Sequence, residues 1–238
     1  MKEKNFVIQV KNLSKFYNKD MHNEVSAIKD ISFSIEEGDF VAIVGPSGSG
    51  KSTLLHMIGA LDIPSSGDVI IDGENVKDLD DNGLANLRLK KIGFVFQTFN
   101  LIPGVTAIDN VLMPLFPYGV SESKRKDAMH LLKEFGIGNR ADHDPSELSG
   151  GEKQRVAVAR SLINNPRIIL ADEPTGQLDS KTGKSIIKLM RELNKEKNLT
   201  FIIVTHDESL LNYVKRVIRL RDGNIIEDLS NGKLKDVV

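Results

Sequence analysis

Residues 45–53 read GPSGSGKST, between a continuous apolar run, FVAIVG at 40–45, and a stretch with helical spacing, KSTLLHMIGAL at 51–61. A glycine-rich loop joining a buried strand to a helix restricts this chain more than any other feature. Glycines let successive backbone N–H groups curl into a concave cradle, and the helix that follows points the positive end of its dipole into it. Such a cradle suits phosphate. The spacing G-x-x-x-x-G-K-[ST] is met by Gly45, Gly50, Lys51 and Ser52. Lys51 can set an ammonium against the outer phosphates, and the Ser52 hydroxyl can ligate Mg²⁺. Pro46, Ser47, Gly48, Ser49 and Thr53 complete the candidate contacts. A Gly/Ser-rich surface turn would share the composition but not the flanking strand and helix.

The rest of the chain supplies the sheet that such a loop needs. FVIQVKNLSKFY (6–17) alternates like a half-buried strand, and AIKDISFSIEEGD continues in that style until Gly38-Asp39 turns it. SSGDVIIDGENV reads as a turn, a short strand and another turn. Residues 84–164 carry mostly helix-type patterns, with Pro103, Pro114, Pro117 and Pro145 as punctuation. Unbroken apolar strands return in RIILAD (167–172) and TFIIVTHD (200–207), separated by a helical stretch at 181–195, and RVIRLRDGNIIED closes with a hairpin around Asp222-Gly223. The expectation is an α/β core with a mainly helical insertion.

Composition narrows the function classes. With 40% apolar residues in 238, the chain can bury a full core, and with no cysteine it has no disulfide, thiolate metal site or thiol nucleophile. A net charge of −1 offers no basic field for nucleic acid. No apolar run reaches the roughly 18–20 residues of a membrane span. The opening MKEKNFVIQV lacks the apolar core of a signal peptide. The expectation is a soluble protein whose membrane role, if it has one, runs through a partner.

Several polar residues follow strand-like runs. IILADEP (168–174) sets two carboxylates side by side at a buried strand end, and neighbours on a strand point to opposite faces. Asp172 therefore reads as the magnesium partner and Glu173 as the group that polarises an attacking water, although Glu173 alone reads equally as an exposed strand-end acid. His206 follows FIIVT, where ligand crevices of parallel sheets lie, yet a lone histidine there is commonly structural. Gln97, in FVFQTFNL, reads as a site residue or a solvated loop glutamine. Tyr17 reads as a stacking platform for a base or as core. In LSGGEKQR (148–155), Ser149 and Glu152 have capping-box spacing, which explains the serine but not the glycines. Gly150 and Gly151 leave amides uncovered at a helix N-terminus, a ready anion site.

In order, Tyr17, GPSGSGKST, Gln97, LSGGEKQR, IILADEP, GQLDS and His206 closely resemble the ATPase subunit of ABC transporters, over about residues 5–228. LLHMIGALDIPSSG, FVFQTFNLIP and ADEPTGQLDS resemble the LolD- and MacB-like branch, which serves lipoprotein release, macrolide export and antimicrobial-peptide resistance. Gln177 departs from the Asn or Ala usual there, and Glu152-Lys153 from frequent glutamines; neither position is expected to touch phosphate.

The resemblance implies a RecA-like P-loop core with an N-terminal antiparallel β lobe (within 1–97 and 163–238) and an inserted helical lobe (98–162), all in one domain. It implies ATP and Mg²⁺ as ligands, with Ser52, Gln97 and Asp172 at the metal and Glu173 and His206 as catalytic residues. It further implies an ATP-dependent homodimer in which the Ser149, Gly150 and Gly151 segment meets the nucleotide of the second copy, and Asp179 touches across the interface. An integral membrane permease is the implied partner, received in a groove formed by TFNLIPGVTAIDNV, whose apolar residues read alternatively as internal packing. The chain would then sit in the cytoplasm, peripheral on the inner face of the membrane. The same motifs occur in ATPases that regulate a membrane mechanical or signalling complex without moving a substrate. Nucleic-acid and ribosome members are disfavoured, because this chain has no room for a long coiled coil, no second ATPase unit and no basic field.

Overall fold

The computed structural model describes residues 5–19 and 21–230. Residues 1–4, Asp20 and 231–238, which the single-domain expectation includes, lie outside the described residues. The chain enters as two long antiparallel strands, β1 (Phe6–Tyr17) and β2 (Val25–Glu36); register shifts break the expected alternation in β1, where Val7 and Ile8 are both buried. Gly38, in the left-handed region, turns the chain into β3 (Phe40–Val44), buried at every position. Helix α1 (Lys51–Ile58) follows the phosphate loop, and β4 (Ser66–Ile71) and β5 (Glu74–Asn75) join the first two strands in a sheet ordered β2-β1-β4-β5.

Helix α2 (Asp81–Lys91) leads to β6 (Ile92–Val95), and helices α3 (Ala107–Leu112), α4 (Glu122–Glu134) and α5 (Gly150–Leu162) occupy the stretch before β7 (Ile168–Asp172). Helix α6 (Ser180–Lys197) then crosses to β8 (Thr200–Thr205), and β9 (Arg216–Arg221) turns through Asp222-Gly223, both at positive φ, into β10 (Asn224–Ser230). The second sheet is ordered β10-β9-β3-β8-β7-β6, parallel except for β10.

The strand sequences explain the layering. Phe40, Ala42 and Val44 enter one core, whereas Val41 and Ile43 enter the other; Phe201 and Ile203 part from Ile202 and Val204 in the same way. A strand covered on both faces must be apolar at every residue, which is why these runs do not alternate. One core is closed by α3, α4, α5 and α6, and the other by α1, α2 and the antiparallel sheet. Helix α6 contributes Ile186, Ile187, Met190 and Leu193, one stripe at helical spacing, and is capped by Asp179 and by Asn198 at φ 52. Because the neighbouring strands are parallel, β3, β6, β7 and β8 all end at one edge of the sheet. That edge holds the site.

Candidate active site

The phosphate loop leaves β3 at Gly45, where a Cβ would stand 2.2 Å from the Leu220 carbonyl oxygen, so only glycine lets the loop pass this close to β9. Gly50 caps α1 at φ 99, and a Cβ there would lie 2.5 Å from the Ala27 carbonyl oxygen. Pro46, Ser47 and Gly48 are exposed at the crest, whereas Ser49 is buried with its hydroxyl oxygen unpartnered. Lys51 is buried, and its ammonium donates to the carbonyls of Gly45 and Pro46, both at 2.9 Å. The cation thus rests on the loop's own oxygens, beside the cradle. Ser52 is exposed and Thr53 half-buried on the first turn of α1.

Asp172 ends β7 and accepts from the Ser52 hydroxyl at 3.5 Å. Burial, and then the neighbouring Glu173 charge, push its carboxyl above the usual carboxylate range. Glu173 is not a strand residue. It lies past the end of β7 at φ 44, so its direction is set by a left-handed turn rather than by strand alternation. The turn aims the carboxylate at the end of β8. The Thr205 hydroxyl donates to Oε2 at 3.0 Å, while the His206 backbone N–H at 3.0 Å and Nδ1 at 2.7 Å share Oε1. A carboxylate only accepts, so His206 Nδ1 carries the proton and Nε2 is left for solvent or ligand. The His206 ring is two-thirds exposed (67%) and free to meet a ligand, whereas Glu173 is 13% exposed.

Gln97, exposed just past β6, is brought to the same loop: its amide nitrogen lies 2.9 Å from where a Cβ on Gly176 would stand, and the Gly176 N–H donates to the Glu173 carbonyl at 3.0 Å. Tyr17 ends β1 with its hydroxyl donating to Asp62 at 3.1 Å and the Lys15 ammonium 5.0 Å from its ring centroid. Burial first, then the Asp62 carboxylate, raise its pKa. At 37% exposed it is not a core residue.

Ser49 apart, the donors suit a phosphate ester with a hard cation. Among the described residues no three His, Asp or Glu side chains converge on one point. The Ser52 hydroxyl and Asp172 carboxylate, 3.5 Å apart, suit Mg²⁺, which takes few protein oxygens and completes its shell with phosphate and water.

The 148–155 segment lies elsewhere. Ser149 caps α5 in a reciprocal box: its hydroxyl accepts from the Glu152 N–H at 3.4 Å and donates to Glu152 Oε2 at 2.7 Å, while its own N–H donates to Oε2 at 2.9 Å. The Ser149 hydroxyl and N–H, with Arg140 at 3.1 Å, hold the Glu152 carboxyl below the usual range. The amides of Gly150 and Gly151 have no partner available within the helix. Side chains at either would meet the start of α6 or the loop before it: a Cβ on Gly151 stands 2.6 Å from Thr182 Cγ2 on the first turn of α6, and one on Gly150 stands 3.2 Å from Leu178 Cδ2. Asp179 sits beside them and caps α6, accepting from Lys181 and Thr182 N–H at 3.0 Å each; the Thr182 hydroxyl and these amides lower its pKa. Among the described residues, no hydrogen bond or ion pair joins 148–155 to 45–53.

The stretch TFNLIPGVTAIDNV divides: Thr98, Asn100, Ile102, Pro103 and Gly104 are exposed, whereas Ala107, Ile108, Asn110 and Val111 are buried. Thr106 caps α3, which buries Ala107, Ile108 and Val111, and the fully buried Asn110 amide bonds the Ile102, Val105 and Thr106 carbonyls. The apolar groove lies beside it instead. Its volume is about 400 Å³, with Leu61, Ala85, Leu89, Phe94, Phe96, Pro114, Pro117 and Tyr118 in its walls and Arg88 and Arg160 at its rim. Sequence reading missed this groove, because its walls come from four separated segments. It also missed Thr205, which reads as an ordinary strand residue until its partner Glu173 is seen.

Residues 28–176 match the family described as "ABC transporter". The chain is 51% identical over 225 residues to the uncharacterized ABC transporter ATP-binding protein MJ0796 of Methanocaldococcus jannaschii, covering 92% of this chain and 95% of that one. It is 50% identical over 222 residues to the macrolide export ATP-binding/permease protein MacB of Bdellovibrio bacteriovorus, covering 93% of this chain but only 34% of that longer protein. Among solved structures, the dimeric post-hydrolysis state of the MJ0796 ATP-binding cassette bound to ADP and Pi superposes with a TM-score of 0.85 at 47% identity, over 94% of this chain and 98% of that one. CbiO1 of Clostridium perfringens, part of the ABC transporter complex CbiONQ, gives 0.86 at 32% identity, over 98% and 90%.

Proposed function

The chain belongs to the ABC transporter family as an ATP-binding cassette, and from that premise we propose that two copies close head-to-tail around two ATP molecules to drive a membrane permease. Each copy contributes half of each reaction centre. Lys51 exchanges the Gly45 and Pro46 carbonyls for the β- and γ-phosphates, which the loop amides surround. Ser52, Asp172 and Gln97 are the residues that hold Mg²⁺, which when bound neutralises phosphate charge. Glu173, aimed by Thr205 and His206, accepts a hydrogen bond from the attacking water. His206 Nε2 faces the γ-phosphate, and Tyr17 stacks on the base. The Ser149 hydroxyl and the Gly150 and Gly151 amides of the second copy then cap the γ-phosphate where charge spreads during transfer. Asp179 meets the facing copy beside them. The helices between 98 and 162 form the lobe that swings to close this gap.

The single observation that carries the reading is the separation of two candidate anion sites in one chain: a phosphate loop at the sheet edge and bare amides at the start of α5, with no hydrogen bond or ion pair between the two segments among the described residues. A site split in this way finishes only when a second copy supplies the missing half. The MJ0796 cassette, at 47% identity, is described as dimeric with ADP and Pi bound, which supports the same arrangement here.

The apolar groove beside β6 suits an amphipathic helix of a permease. Among the described residues no helix is long and apolar enough to cross a membrane, so the cassette reaches the membrane through that partner, on its cytoplasmic face.

Glu173→Gln tests the scheme. This variant binds ATP, loses turnover, and runs as a dimer on gel filtration in ATP and Mg²⁺ but as a monomer without them. A variant that stays monomeric at saturating ATP refutes the shared site.

A further inference from the structure

The turn that links Gln97 to the helices is strained; it is held by its own hydrogen bonds, Thr98 hydroxyl to Asn100 Oδ1 at 2.6 Å and Phe99 N–H to the Phe96 carbonyl at 3.2 Å, and from outside by the Arg160 side chain. Phe99 and Asn100 are consecutive left-handed residues, at φ 61 and φ 49. Asparagine tolerates that region, but an aromatic residue there is a steric outlier and persists only when its surroundings impose it. Arg160, near the end of α5, imposes it: Nη2 donates to the Phe99 carbonyl at 2.7 Å and Nη1 to the Asn100 carbonyl at 2.5 Å. Burial alone pushes the Arg160 pKa down, with no carboxylate opposing it. A half-buried guanidinium without an anion is costly, so these two carbonyls are what keep it in place.

The clip touches three working parts. Two residues before Phe99, Gln97 stands against Gly176 on the Glu173 loop. The Phe99 ring lies 3.9 Å from where a Cβ on Gly150 would stand, at the other end of the helix that carries Arg160. Arg160 itself borders the apolar groove, next to Phe96 and Ser161.

We propose that Arg160 is a positioning residue for hydrolysis: by gripping the Phe99 and Asn100 carbonyls it holds Gln97 at the Glu173 loop and Phe99 against Gly150. The proposal rests on the roles given above to Gln97 and Gly150. Loss of the grip lets the turn relax toward ordinary φ and withdraws Gln97. Lysine keeps the charge but lacks the fork that spans two carbonyls.

Arg160→Lys and Arg160→Met in the full chain test this. Both variants lose about a hundredfold in turnover at saturating ATP, the size expected when a positioning group is displaced. Their KM for ATP stays unchanged, because the phosphate loop is untouched, and they need more Mg²⁺ for half-maximal rate. Without nucleotide, amide exchange speeds up at 98–101 while β3 and β7 stay protected. Wild-type turnover and Mg²⁺ demand in Arg160→Lys overturn the proposal, as does turnover lost only in proportion to folded protein. If the wild-type chain does not hydrolyse ATP, the preceding functional reading fails; exchange then decides the clip alone, and unaltered exchange at 98–101 overturns it.

Discussion

Thr205→Val isolates the aim of Glu173 from its charge. Thr205 has no exposed surface, and valine fills the same volume with a methyl in place of the hydroxyl. Two hydrogen bonds go: the 3.0 Å bond given to Glu173 Oε2, and the 3.0 Å bond received from the Asp207 N–H. A bond to a charged acceptor contributes about 1.5–3 kcal/mol, and an orphaned amide costs about 1–3 kcal/mol when buried. Asp207 is half-exposed, so water recovers much of the second loss. The sum is about 2–4 kcal/mol, or roughly 5–15 °C in Tm for a chain of this size. The effect on rate is separate. Glu173 keeps both donors on Oε1, so it turns about that edge rather than leaving the site. Misplacement of this order lowers kcat by about 10–100-fold with KM for ATP unchanged. Phosphate release at saturating ATP and Mg²⁺, measured at 25 °C alongside urea unfolding, reads both quantities. Thr205→Ser restores the hydroxyl and recovers most of kcat. A valine variant within about twofold of wild type, or a serine variant no better than valine, refutes the claim that Thr205 aims the carboxylate.

Two further substitutions separate stability from catalysis. Asp72, 10% exposed, receives both Lys91 and Arg167, and Arg167 also pairs with Glu37 at 2.8 Å; asparagine tolerates its φ of 48, so Asp72→Asn costs about 1–3 kcal/mol in urea unfolding and leaves kcat unchanged, since these groups precede β3, β6 and β7 at the edge opposite the site. Asp39→Asn acts through pH: burial, then the Glu36 charge, raise the Asp39 carboxyl above its ordinary range, although the Glu36 N–H that it accepts at 3.1 Å opposes this. With the folded pKa above the unfolded one, the folded state binds the extra proton, so Asp39 costs stability as pH rises from the ordinary carboxylate pKa through the raised value. Asparagine escapes that cost, so the variant melts higher than wild type at neutral pH, and the difference vanishes in acid below the ordinary carboxylate range; a gain independent of pH contradicts the assignment.

The parts legible in the sequence are those whose chemistry is local. The phosphate loop is a continuous segment, and the fully apolar strands announce their burial on both faces. The Ser149–Glu152 box needs only its own four residues. What stayed hidden depends on contacts between distant segments. Strand alternation is the natural reading of Asp172-Glu173, yet a left-handed residue at the strand end replaces it, and no pattern in ADEP distinguishes the two. The groove draws on residue 61, 85–96, 114–118 and 160–164, none of which is unusual alone. The apolar residues of 98–111 read more readily as a docking surface than as internal packing; in the structure the Asn110 amide ties Ala107, Ile108 and Val111 inward, while Ile102 stays exposed. Gly150 and Gly151 were read as bare amides; their lack of side chains also lets Leu178 and Thr182 approach α5.

The placement of the reacting groups bears on why a motor divides its site. Lys51, Asp172 and Glu173 stand at or just past the ends of β3 and β7, and His206 at the end of β8, on strands whose side chains interlock with a core on each face. The Gly150 and Gly151 amides ride instead on α5, joined to that edge through the strained 97–100 turn and the 173–179 loop. If both halves met within one chain, ATP would be cleaved whenever it bound, and no step would remain for a partner to govern. In the proposed scheme the halves stay apart until two copies close, so cleavage follows closure rather than nucleotide binding alone.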